Sequence, residues 1–178
     1  YNNALELNID IQRIAVGGLS AGGNLAAALS LLTRDRGEYP ICFQLLLCPM
    51  LDPFSSSHAY ERITDKRLWN LNSNQIAWQA YLNNIDPIPG YAAPLLEESL
   101  SGLPPAYLLV GDQDVFVDED IQYAQALVSA GVPTELHIVP GAFHGFEFAV
   151  PEAAISQRAW CSHRDALRRA FTLTQKDL

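Results

Sequence analysis

Residues 13–28 read Arg-Ile-Ala-Val-Gly-Gly-Leu-Ser-Ala-Gly-Gly-Asn-Leu-Ala-Ala-Ala, and no other stretch constrains the fold as tightly. A short β-type run, Ile14-Ala15-Val16, meets two glycines, Leu19 and Ser20. Two more glycines follow, then a helical run rich in Ala and Leu. That is strand, sharp turn, helix, and Gly18-Leu19-Ser20-Ala21-Gly22 fits G-x-S-x-G. A serine at the tip of so tight a turn takes strained backbone angles. The residues two before and two after it are expected to be small, so that strand and helix approach closely and Oγ stands clear as a nucleophile. The helix behind it presents its positive end, and the Ala21 N–H points where an oxyanion would form.

The rest of the chain supports one globular domain. Its 178 residues suffice for a substantial core, and 49% hydrophobic with 17% charged residues is ordinary globular composition. No apolar run reaches the length of a membrane span and no signal-peptide pattern opens the chain. A net charge of −9 argues against nucleic acid and anionic membrane as partners. Cys42, Cys48 and Cys161 lack metal-ligand spacing, so no metal or cofactor is expected. Reduced thiols point to the cytoplasm.

Strands and helices alternate along the sequence. Ile14–Gly17 predicts a strand, Ala21–Arg36 a helix stopped by Gly37, and Ile41–Cys48 a strand buried on both faces. Residues 52–103, with Ser55-Ser56-Ser57, scattered prolines, Trp69, Trp78 and Tyr81, read as an insertion holding three helical patches. Ala106–Val110 is a third strand, 118–130 a helix, Thr134–Val139 an edge strand, 140–146 a loop, and 152–171 a final amphipathic helix. Residues 1–8 resemble the tail of a helix. The order predicts an α/β fold, a parallel sheet with helices on both faces.

In such a sheet, ligands bind beyond the carboxyl ends of the strands. Ser20, Asp114 and His144 fall there, in the chain order of a Ser, acid, His triad. The imidazole removes the serine proton, and a carboxylate fixes its tautomer. His137 and His163 read as structural or exposed and His58 as solvated, whereas glycines on both sides of His144 and a strand before it favour that residue as the base. Asp118 reads as a helix N-cap, with Glu119 and Asp120 in the first turn. Periodicity alone does not separate Asp112 from Asp114 as the acid.

Gly18-Leu19-Ser20-Ala21-Gly22-Gly23-Asn24-Leu25-Ala26 resembles the G-D-S-A-G-G-N-L-A elbow of the hormone-sensitive-lipase-like esterases, a branch of the α/β-hydrolases. Asp114-Val115-Phe116-Val117-Asp118-Glu119 is similar to their D-P-L-x-D-E, and Phe143-His144-Gly145-Phe146 to their H-G-F. Pro49-Met50-Leu51-Asp52 and Ser101-Gly102-Leu103-Pro104-Pro105 match familiar connectors. The resemblance implies a carboxylesterase with Asp114 as acid, a small acyl ester as substrate and no cofactor. Leu51, Phe54, Val117 and Phe146 are expected to line the pocket.

Two features depart from that family. Leu19 stands where an Asp is usual, and the upstream H-G-G-G segment, whose N–H groups build most of the oxyanion hole, has no counterpart in residues 1–178. The strands resemble the last four of an eight-stranded sheet, so the chain reads as a C-terminal portion of the domain. Loss of one oxyanion donor lowers rates by about 10²–10³. The free edge of the first strand, Ile14–Gly17, is then a place for self-association or pairing with another chain. A non-catalytic ligand-binding protein, or an inactive fragment, on the same scaffold is the alternative reading.

Overall fold

In the computed structural model, which describes residues 1–172, four strands form one parallel sheet in the order β1-β2-β3-β4. They are β1 (Ala15–Leu19), β2 (Phe43–Leu47), β3 (Ala106–Gln113) and β4 (Thr134–Phe143). Helices α1 (Ala21–Arg36) and α4 (Val117–Ser129) cover one face, and α6 (Ala154–Thr172), which follows the single turn α5 (Phe146–Ala149), covers the other. Side chains alternate across the pleat accordingly. Leu46 and Leu108 pack with Ala27 and Leu31 of α1 and with Tyr123 and Leu127 of α4. Phe43, Leu47, Tyr107 and Leu109 meet Ala159 and Ala166 of α6. Two covered faces are why β2 and most of β3 read as continuous apolar runs. The one polar intruder, Gln44, is fully buried and donates through Nε2 to the Pro104 carbonyl at 2.9 Å.

Helix α1 ends as its sequence requires: Gly37 adopts φ 63° and its N–H bonds the Thr33 carbonyl at 2.9 Å. Residues 1–8 are not a helix tail. They form successive turns closed by bonds such as Ala4 N–H to the Tyr1 carbonyl at 2.9 Å.

The insertion contains α2 (Ala59–Arg62), α3 (Leu71–Leu82) and a 3-10 turn (Pro94–Leu96). Tyr60, Ile63, Trp78, Leu82 and Ala93 pack on Cys48, Val110 and Phe116, so the insertion sits over the carboxyl ends of β2 and β3. Its interior is tied by Asn74, which is fully buried. That amide donates to Tyr60 Oη at 2.6 Å and Ser55 Oγ at 2.9 Å and accepts from Trp69 Nε1 at 3.2 Å.

The third and fourth strands run further than the sequence predicts. β3 continues to Gln113 and β4 to Phe143, across residues expected to be loop. The pairing shifts register between Gly111 and Gln113 and resumes with Gln113 opposite Phe143. This irregular extension delivers residues 114 and 144 side by side.

Candidate active site

The turn between β1 and α1 is strained as its sequence implies. Ser20 sits at φ 57° and ψ −120°, a region costly for a residue with a Cβ. The surroundings hold it there. Its N–H bonds the Leu47 carbonyl at 2.9 Å, and its own carbonyl accepts from the N–H groups of Asn24 and Met50 at 3.1 and 3.2 Å. A Cβ on Gly18 would lie 2.2 Å from the Gly22 carbonyl oxygen, and one on Gly23 would lie 2.8 Å from Pro49 Cβ. At Gly22 there is open space instead. The need for small residues therefore falls on positions 18 and 23, not symmetrically about the serine. Leu19, where the family has Asp, packs among apolar neighbours.

Ser20, His144 and Asp114 come from the ends of three strands and meet in one line. Asp114 Oδ2 lies 2.7 Å from His144 Nδ1, and His144 Nε2 lies 3.0 Å from Ser20 Oγ. A carboxylate only accepts, so the proton belongs on Nδ1 and Nε2 is left to accept from the serine hydroxyl. Asp114 is buried and its Oδ1 accepts the Phe116 N–H at 3.1 Å, which holds the carboxylate against rotation. The His144 side chain keeps 14% exposure. The Phe116 ring stands perpendicular to the imidazole at 5.1 Å between centroids, and the Trp69 ring lies at 6.2 Å. Asp112 is turned elsewhere: its Oδ1 accepts the Gly141 N–H at 2.7 Å. Ala21 is the first residue of α1, so its N–H has no acceptor within the helix.

The neighbouring acids do other work. Helix α4 begins at Val117, and Asp118 does not cap it. Its Oδ2 instead accepts from Ser57 Oγ at 2.8 Å and the Ala59 N–H at 3.0 Å, fastening the start of α2. Buried Glu119 accepts the N–H groups of Leu51 and Asp52 at 2.6 and 3.2 Å. Burial pushes the Glu119, Asp120 and Glu147 carboxyls up, and the Cys48 thiol well up. Cys48 Sγ, an Asp114 oxygen and a His144 nitrogen all lie within 4.8 Å of one another. That set suits hydrogen bonding better than a metal: the Asp114 and His144 atoms already bind each other, and a protonated thiol is a poor ligand.

Of the residues expected to line the pocket, three are buried in the core and one lies on the surface. Leu51 is enclosed between α1 and α4, Val117 lies beneath the insertion, and Phe146 faces α6. Phe54 is 66% exposed. A separate apolar cavity between α1 and α3 is lined by Ala21, Asn24, Leu25, Met50, Ala77, Trp78 and Tyr81. Periodicity could not assign Trp78 and Tyr81 to it, because nothing local says which way α3 leans. His137 bonds Glu135, His58 is exposed, and His163 is buried against Tyr107 and Trp160.

Known proteins resemble this chain in sequence and in fold. Residues 1–148 match the family described as alpha/beta hydrolase fold. The chain is 39% identical over 165 residues to carboxylesterase NlhH of Mycobacterium tuberculosis, covering 85% of this chain and 50% of that protein. It is 38% identical over 146 residues to esterase LipI of the same organism, covering 79% and 45%. Among solved structures, a bacterial heroin esterase superposes with a TM-score of 0.90 at 40% identity, covering 97% of this chain and 56% of that one. The chain thus spans about half the length of the curated relatives it matches. It belongs to the α/β-hydrolase family, in the hormone-sensitive-lipase-like branch.

Proposed function

We propose that the chain carries the catalytic triad of a carboxylesterase. One observation carries the reading: the unbroken line from Asp114 Oδ2 through His144 to Ser20 Oγ, at 2.7 and 3.0 Å. Ser20 Oγ attacks the ester carbonyl carbon while its proton passes to His144 Nε2. Asp114 stabilises the imidazolium, and the Ala21 N–H donates to the oxyanion. Collapse breaks the bond to the alcohol, which takes the proton from Nε2, leaving an acyl-Ser20 ester. Water, deprotonated by His144, then releases the acid and restores the serine. The relatives named esterase support ester hydrolysis as the reaction class.

Two further readings go with it. The outer side of β1 pairs with no described strand, so it is the edge at which another strand or a second copy would add. Three unpaired cysteines fit the cytoplasm, and among the described residues no helix is long and apolar enough to cross a membrane.

Hydrolysis of p-nitrophenyl butyrate by this chain and by Ser20→Ala tests the reading. Turnover that vanishes in the variant is the expected result. Equal rates would overturn the triad, and saturable binding without turnover would favour a ligand-binding role.

A further inference from the structure

We propose that Glu147 is a positioning residue for the triad base: a second buried carboxylate that acts on His144 through space and favours the imidazolium formed at each proton transfer. This rests on the esterase reading and adds a group that the line from Asp114 to Ser20 leaves out. Glu147 follows His144 by three residues. Gly145 turns the chain into α5 at φ 66°, and Trp160 Nε1 donates to the Glu147 carbonyl at 3.3 Å, which fastens that turn to α6. The Glu147 residue is 1% exposed, and neither carboxyl oxygen has a hydrogen-bond partner. A carboxyl buried without a donor destabilises a fold, and an apolar side chain of similar length would fill the space without that cost. Packing therefore gives no reason for an acid there.

The reason lies in the groups around it. Cys48 comes from the end of β2, Asp114 from the end of β3 and His144 from the end of β4, and Asp120 of α4 stands near Cys48 and Asp114. Helix α6 contributes Ser156 and Trp160, which do not titrate and which bond the backbone carbonyls of Phe146 and Glu147. Burial pushes the Cys48 thiol and the Glu119 and Asp120 carboxyls well up, so these three stay protonated. Burial raises Glu147 as well, but its own backbone N–H and the charge of His144 draw it down again. The attraction is mutual: a carboxylate favoured by an imidazolium favours that imidazolium in return. Asp114 bonds the ring directly, whereas Glu147, with no bond to it, acts by charge alone.

Three variants separate charge from shape. Glu147→Gln and Glu147→Met remove the charge and keep the length, and Glu147→Asp keeps the charge. One opposite charge in a partly buried cluster shifts an ionisation by about one unit, which is tenfold in the stability of the imidazolium. With p-nitrophenyl butyrate, the two uncharged variants are expected to lower kcat about tenfold at pH 8 and to leave KM within about twofold. The acid limb of kcat/KM is expected to move about one unit to lower pH. Glu147→Asp is expected to recover most of both changes. In urea at pH 8 the uncharged variants should be no less stable than wild type, and a loss of stability in both would make Glu147 a structural residue instead. A fall in kcat without movement of the acid limb, or no change in either, also overturns the proposal. NMR titration of the His144 ring protons reads the same interaction without turnover. The ring must titrate about one unit lower in the uncharged variants, and identical titration overturns the role of Glu147 while leaving the triad to the Ser20→Ala test.

Discussion

Gly111 and Ala142 touch backbone to backbone: a Cβ added to Gly111 would lie 2.0 Å from the Ala142 carbonyl oxygen. This contact lies where β3 and β4 change register, three residues before Asp114 and two before His144. Only glycine lets the strands remain paired through the irregularity, so the contact sets how the two side chains face each other. Gly111→Ala is expected to push the strand ends apart, destabilise the fold by about 1–3 kcal/mol, and lower kcat/KM about 10²-fold. Urea unfolding beside ester hydrolysis measures both. Full activity in a variant that has lost stability would show that the contact holds the sheet and not the site.

The two aspartates after β3 should separate sharply. On the proposed triad, Asp114→Asn leaves Nδ1 facing an amide that no longer fixes the tautomer, and kcat should fall by about 10⁴-fold. Asp112→Asn alters the acceptor of the Gly141 N–H and of Gln113 Nε2, neither of which touches His144. It should cost about 1 kcal/mol of stability and leave kcat within a few-fold. Comparable losses of kcat in both variants would contradict the assignment of Asp114.

How much of this was legible in the sequence follows from the range of each interaction. The elbow was readable because strand, glycine and serine neighbour one another in sequence, although two of the bonds that hold Ser20 in its strained turn run to Leu47 and Met50. The buried strands were readable because two covered faces leave an apolar run. The ends of β3 and β4 were not, because Gly111, Asp112, Pro140 and Gly141 look like loop until the partner strand is present. Asp118 failed for the same reason. Its acceptors are used by Ser57 and Ala59, some sixty residues away, and not by its own helix. The cavity wall was hidden because residues in the insertion are placed by the packing of Trp78 and Tyr60, not by any repeat in sequence.

The cysteines should differ in reactivity by their surroundings. Cys161 is exposed, Cys42 is half-buried, and Cys48 is enclosed with its thiol pushed well up by burial and by the nearby carboxylates. Thiolate is the reacting form, so iodoacetamide at neutral pH should label Cys161 first and Cys42 slowly. Cys48 should react only after unfolding. Peptide mass spectrometry after timed labelling checks the order, and rapid labelling of Cys48 in the folded protein would contradict the closed packing beside the triad.

His163 should make the fold sensitive to acid. It is buried, both ring nitrogens lack a partner, and the rings of Tyr107 and Trp160 lie at 5.6 and 5.5 Å. Burial first, and the charge of His137 second, pull its pKa from 6.5 down to about 4. Between those values the unfolded chain binds a proton that the folded one refuses. Stability is therefore lost as pH falls from about 6.5 to about 4, by no more than about 3 kcal/mol. Glu119 and Asp120 act with the opposite sign, because carboxyls pushed up by burial favour the fold when protonated. Wild-type stability alone mixes these effects. His163→Phe removes one of them while keeping a ring against Trp160 and Tyr107. The gap in unfolding free energy between variant and wild type should widen in favour of the variant as pH drops through that window. A gap that stays constant from pH 7 to 4 would mean that His163 charges as readily in the fold as outside it.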